Sequence, residues 1–132
     1  MGAENPRQQA FITLKAVHKG AFADVALDRT LAHHTLADAD RRLLTELVYG
    51  CVRRLRSLDA LIDRLASKPA QHQPPDVRTA LHLGLYQLRY LEHIPVSAAV
   101  NTTVELFKQN RMSGLSGFAN GLLRQYLRLR ET

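Results

Sequence analysis

Apolar side chains recur at Leu44, Val48, Cys51, Leu55, Leu58, Ile62 and Leu65, at spacings that alternate between four and three. A strand would alternate with period two, so this stretch reads as a helix that packs one face against other helices. Asp38 stands where an N-cap is wanted. Ser57 and Asp59 offer a second cap in mid-run, so a break or kink is expected near Ser57. The rest of the chain repeats the pattern. Asn5 and Pro6 form a cap followed by proline at the first helical position. Ala10, Phe11, Leu14, Val17 and His18 then fall on one face, and Gly20 is placed to end the helix. A short second helix starts near Asp24, with Val25, Leu27 and Leu31 on its apolar side. His33, His34 and the stretch to Leu36 read as loop.

Residues 68–75 hold three of the five prolines and read as a loop. A helix then carries Val77, Leu81, Gly84, Leu85, Leu88 and Leu91 along one side. Pro95 closes the next connection, and Ser97 is the expected cap of a helix that turns Val100, Val104 and Phe107 inward. A turn at residues 110–114 leads to a last helix, expected to bury Leu115, Phe118, Leu122 and Tyr126 and to leave Arg124, Arg128 and Arg130 outside. Gly121, inside that last pattern, costs about 1 kcal/mol relative to alanine. Close approach of a neighbouring helix is the expected reason, and Asn101 and Asn120 are expected to be buried hydrogen-bonding residues. No segment alternates with period two, so the fold class is all-α, a helical bundle, within one domain spanning residues 1–132.

Composition narrows the function. Eighteen Lys and Arg face twelve Asp and Glu, a net charge of +6, and the isoelectric point is near 10.0. Such a balance suits a phosphate backbone or an anionic partner surface. Arginine outnumbers lysine, and its planar fork makes bidentate phosphate contacts. A lone cysteine, Cys51, excludes a disulfide scaffold and sits in the apolar stripe as a core residue. The apolar runs are too short to cross a membrane, and the polar residues 1–9 lack the apolar centre of a secretion signal. A cytoplasmic protein is the expectation.

Catalytic signals are poor. His33 and His34 lack further ligands at helical spacing, and His18, His72, His82 and His93 are scattered. No nucleophile elbow occurs. No glycine-rich loop follows a strand, so no metal or cofactor site is expected in this chain. The basic residues are better organised. On a helical wheel Arg42, Tyr49, Arg53 and Arg56 lie opposite the apolar stripe, placing three guanidinium groups and a phenol on one outer face, with Glu46 partly neutralising them. Arginines for phosphates and an aromatic ring for base stacking make an RNA-binding surface. Arg7, Lys15 and Lys19 flank the first helix, and Arg124 and Arg128 lie on the last. These nine are the candidate RNA-binding residues.

Two late motifs carry a resemblance. Leu91-Glu92-His93-Ile94-Pro95 followed by residues 99–108 (AVNTTVELFK), and Gly117-Phe118-Ala119-Asn120-Gly121-Leu122-Leu123-Arg124, resemble the second half of the NusB family. The likeness covers residues 6–129 and implies an all-α fold, a bundle of about seven helices in two packed halves. One branch of that family is a free-standing transcription antitermination factor. The other is the N-terminal domain of the RsmB (Sun/Fmu) methyltransferases, which act on carbon 5 of a cytosine in 16S ribosomal RNA with S-adenosylmethionine. Residues 47–54 (LVYGCVRR), residues 58–62 (LDALI) and residues 20–27 (GAFADVAL) resemble the second branch. The arginine run that opens the antitermination factor is represented only by Arg7, and Gly117 stands where that factor often has a basic residue. The resemblance implies a non-catalytic, RNA-binding and substrate-positioning domain. Its partners would be ribosomal RNA and a C-terminal methyltransferase domain that holds the S-adenosylmethionine. An antitermination factor, or a helical protein-interaction module without an RNA role, is the alternative. Self-association through an exposed apolar face, in a crystal or as a weak homodimer, is a further possibility.

Overall fold

The computed structural model describes residues 5–131. The first four residues of the polar N-terminal stretch and Thr132, where the expected domain ends, lie outside the described residues. The chain divides into two compact units, residues 1–53 and 54–132. Among the described residues there are seven α-helices, two short 3₁₀ turns and no strand.

The first unit is three helices: α1 (Pro6–His18), α2 (Ala23–His33) and α3 (Asp38–Arg53). Asn5 is extended, and its Oδ1 accepts from the backbone N–H groups of Arg7 (3.0 Å) and Gln8 (3.4 Å), while Pro6 opens the helix. This satisfies donors that a helix start leaves unpaired. At the other end Gly20 has φ +115°, a conformation open to glycine and rarely to other residues. It sends the chain back so that α2 packs on α1. The hydroxyls of Thr13 and Thr30 lie 2.7 Å apart across that contact. Ala10, Phe11 and Leu14 of α1 meet Leu44, Leu47, Val48 and Cys51 of α3 in the core. Val17 is only half-buried and His18 is exposed, so the inward face of α1 is shorter than the periodicity suggests. Asp38 is the first helical residue of α3 rather than its cap, and it sits with Asp40 where the positive end of the helix dipole favours carboxylates.

The break expected at Ser57 falls at Arg54 (φ −102°, ψ 20°). Its guanidinium lies 4.9 Å from the centroid of the Tyr90 ring, within cation–π range. The second unit then contains α4 (Leu55–Leu65), α5 (Pro75–Tyr90), α6 (Val96–Gln109) and α7 (Ser116–Arg130), with 3₁₀ turns at Ala70–His72 and Ser113–Leu115. Helix α5 packs on α4, α6 and α7. It is buried continuously from Thr79 to Leu88, polar residues included. Two of the polar members bond within the helix: Thr79 Oγ1 donates to the Pro75 carbonyl (3.0 Å), and Gln87 Nε2 to the Leu83 carbonyl (3.0 Å).

Asp59 has a role other than capping. Its carboxylate accepts from Arg78 Nε (2.9 Å), from Arg78 Nη2 and from His82 Nε2 (2.7 Å), tying α4 to α5. Burial alone would raise its pKa, but the hydrogen bonds from Arg78 and His82 outweigh burial and hold the carboxyl below its usual range.

Several expectations are corrected here. Ser97 lies inside the first turn of α6, whose N-cap is Pro95. Thr103 is buried where Val104 was expected, because the α6 face turned to α5 runs Ala99, Val100, Thr103, Leu106 and Phe107. Leu115 and Phe118 are 40% and 36% exposed, and α7 instead buries Ala119, Leu122, Leu123 and Tyr126. Asn101 is exposed, and the half-buried Asn120 accepts from Arg124 Nε (3.1 Å). Gly121 faces open space, whereas a Cβ on Gly84 would lie 2.6 Å from Thr103 Oγ1 and 3.2 Å from Leu123 Cδ2. Gly84, not Gly121, is the glycine of close helix approach.

Candidate nucleic-acid interface

Helix α3 presents two opposite faces. Its buried side carries Leu44, Leu47, Val48 and Cys51. Burial pushes the Cys51 thiol pKa up, which keeps it protonated and inert as a nucleophile. On the outer side Arg42, Glu46, Tyr49 and Arg53 follow one another at spacings of four, three and four, and so stack on one face. Arg41 and Thr45 flank this row, and Thr45 Oγ1 donates to the Arg41 carbonyl (2.9 Å). Leu31 of α2 closes one side. Together these seven residues line an open groove of about 440 Å³. The three arginines and Glu46 are exposed, and Tyr49 keeps 38% of its surface in solvent.

The groove brings together three of the nine sequence candidates: Arg42, Tyr49 and Arg53. Arg56 is not among them. It is exposed on α4, in the second unit, because the helix ends before it and the wheel does not run through Arg54. Arg7 is half-buried in the first unit. Burial lowers its pKa and the charge of Asp40 opposes the shift. Lys15 Nζ lies 5.3 Å from the centroid of the Phe11 ring, and Lys19 is exposed at the C-cap of α1. Arg124 and Arg128 are exposed on α7. Sequence reasoning missed Arg41, Thr45 and Leu31. Arg41 and Thr45 were findable, since they occupy the adjacent ridge of the same helix. Leu31 was not, because it arrives from another element.

The second unit has a different basic groove of about 310 Å³, lined by Leu61, Arg64, Leu65, Arg89, Tyr126, Leu129 and Arg130. Two of its arginines have partners within the unit. Arg130 Nη1 donates to the Leu88 carbonyl (2.7 Å). Arg89 donates to Tyr90 Oη (3.3 Å), and hydrogen bonding to Tyr126 and then Tyr90 raises its pKa. This groove is therefore committed in part to holding α5 and α7 together. Among the described residues no cluster of His, Cys, Asp and Glu is suited to a metal ion. His33 Nδ1 donates instead to the Arg29 carbonyl (2.8 Å).

Comparison with known proteins gives this geometry a setting. The sequence profile of the NusB family matches residues 4–128. A probable ribosomal RNA small subunit methyltransferase B of Synechocystis is 53% identical over 95% of this chain. Ribosomal RNA small subunit methyltransferase B of Thermus thermophilus is 42% identical over 95%. The chain spans only 28% and 30% of the length of these two relatives. A solved structure of antitermination factors NusB and NusE in complex with double-stranded RNA has a TM-score of 0.81 at 21% identity, covering 91% of each chain. At that identity the likeness shows the fold.

Proposed function

Because the chain belongs to the NusB family, we propose that it is the RNA-binding, substrate-positioning domain of a small-subunit ribosomal RNA methyltransferase. The groove on α3 carries the RNA-binding part of this reading: Arg41, Arg42 and Arg53 are exposed around an accessible tyrosine ring. Guanidinium groups hold phosphates and the ring offers a stacking face. The methyltransferase setting is supported by relatives matched over nearly all of this chain and less than a third of their own length. On this reading the chain is the N-terminal domain of a longer enzyme. It holds the RNA while a separate catalytic domain transfers a methyl group from S-adenosylmethionine to carbon 5 of a cytosine. The groove itself does not fit that cofactor, whose sulfonium cation would meet three guanidinium groups. All nine candidate residues belong to the proposal, with Arg42, Tyr49 and Arg53 at its centre.

The test is titration of the chain with small-subunit ribosomal RNA fragments at several salt concentrations. Arg42→Glu with Arg53→Glu is expected to weaken binding most at low salt. It should lower the slope of log affinity against log salt by about one to two units, since each lost phosphate contact removes about 0.7–0.9. Both positions are exposed, so each change should alter stability by no more than about 0.5 kcal/mol. A folded double variant with unchanged affinity and slope would remove this groove from the RNA site.

A further inference from the structure

In the second unit Arg64 of α4, Arg89 of α5 and Arg130 of α7 stand exposed around one groove of about 310 Å³, and no carboxylate lines it. Two of the three are held in place by neutral groups. Arg89 hydrogen-bonds to the hydroxyls of Tyr90 and Tyr126, and Arg130 Nη1 donates to the Leu88 carbonyl. A neutral acceptor orients a guanidinium without cancelling its charge, so two of the three charges are aimed in advance. Glu92 lines an adjoining groove together with Arg89 and Arg130. Among the described residues it forms no ion pair with either. Three uncancelled like charges around one groove favour an anionic occupant.

The lining decides which kind of anion. Its apolar part is aliphatic. Leu61 and Leu65 lie one turn apart on α4 and are half-buried, and Leu129 on α7 is 40% exposed. The one ring in the lining, Tyr126, is 5% exposed, and the Arg130 guanidinium lies 5.9 Å from its centroid. A nucleobase therefore finds no open face to stack on, in contrast to Tyr49 in the first unit. An RNA strand could use the arginines, but it would leave the leucines in water. A polypeptide uses both. Its Asp and Glu side chains accept paired N–H bonds from guanidinium groups, and its apolar side chains cover the leucines. A helix with apolar residues at i, i+3 and i+4 and carboxylates on its flanks presents both sets at once. We propose that this groove docks an acidic amphipathic helix of a protein partner, with apolar side chains on Leu61, Leu65 and Leu129 and carboxylates on Arg64, Arg89 and Arg130.

The experiment uses the 132-residue chain and labelled helical peptides of about fifteen residues, followed by fluorescence anisotropy. One peptide carries leucines along one face and glutamates on its flanks. A second replaces the glutamates with glutamine, and a third replaces the leucines with serine. The first is expected to bind, and the other two to bind at least about tenfold more weakly, because the docking needs both kinds of contact. Arg64→Glu and Arg53→Glu change the net charge equally but lie in different grooves. Arg64→Glu is expected to weaken the first peptide about fivefold to tenfold, losing an attraction and gaining a repulsion at an exposed site, and to leave binding of ribosomal RNA fragments unchanged. Arg53→Glu is expected to do the reverse. Equal binding of the first and third peptides overturns the proposal, since charge alone would then suffice. Equal losses from the two variants overturn it too, by showing attraction to the whole basic chain. Loss of RNA binding in Arg64→Glu, with no peptide bound, makes the groove an RNA surface instead. Should Arg64→Glu fail to fold, Leu129→Ser takes its place at a second exposed position of the same groove.

Discussion

Two glycines show how little a residue's identity reveals about its surroundings. Gly84 sits where α5 meets α6 and α7, and a single added methyl would press on Thr103 and Leu123. Gly84→Ala is therefore expected to destabilise the chain by about 1–3 kcal/mol, the usual cost of overpacking. Gly121 faces open space in α7, so Gly121→Ala is expected to stabilise it by about 0.5–1 kcal/mol through helix propensity. Urea unfolding of both variants checks the opposite signs. A third backbone test lies at Arg111, which follows the C-cap of α6 at φ 65°. Arg111→Gly relieves a left-handed conformation and is expected to raise stability by up to about 1 kcal/mol. Gly20, by contrast, was legible from sequence, because a glycine just past an apolar-periodic segment has a local role that needs no tertiary contact.

Among the elements, the α4–α5 pair is held by the Asp59 carboxylate between Arg78 and the buried His82. The folded pKa of Asp59 lies below its unfolded value, so in acid the unfolded chain binds more protons than the folded one. The stabilisation is complete above the unfolded carboxylate value, about pH 4, and is lost as pH falls through the depressed folded value. Asp59→Ala is expected to cost about 2 kcal/mol at neutral pH, since it removes hydrogen bonds to charged partners. It should also flatten the fall in melting temperature below pH 4. Thermal melts from pH 2 to 7 measure both effects. The sequence placed Asp59 at a helix start because it read only local spacing. The true partners lie nineteen and twenty-three residues away. The candidate site divides in the same way. Arg42, Tyr49 and Arg53 were legible together because they share one uninterrupted helix. Arg56 was misplaced because the helix breaks at Arg54, where the chain has no glycine, proline or side-chain cap to announce it.

At the scale of the molecule, stability is expected to be unevenly distributed. Helix α5 is buried continuously from Thr79 to Leu88, whereas α2 buries only Ala26 and Leu27. Native-state hydrogen exchange should find the slowest amides in residues 80–88 and faster exchange along α2. Uniform protection across both helices would contradict that picture. No described helix is long and apolar enough to cross a membrane. The net charge of +6 belongs to the sequence and makes an anionic partner favourable before any groove is considered. The all-α class and the seven helices were also determined by the sequence, because a 3.6-residue hydrophobic period depends on neighbours a few residues apart, although of the expected N-caps only Asn5 acts as one. The late motifs likewise marked the NusB family. Only the tertiary structure decided which glycine is crowded, what Asp59 holds, and that Leu31 closes the groove beside Tyr49. Each of these depends on a contact between residues distant in the chain, and spacing along the chain carries no record of such contacts.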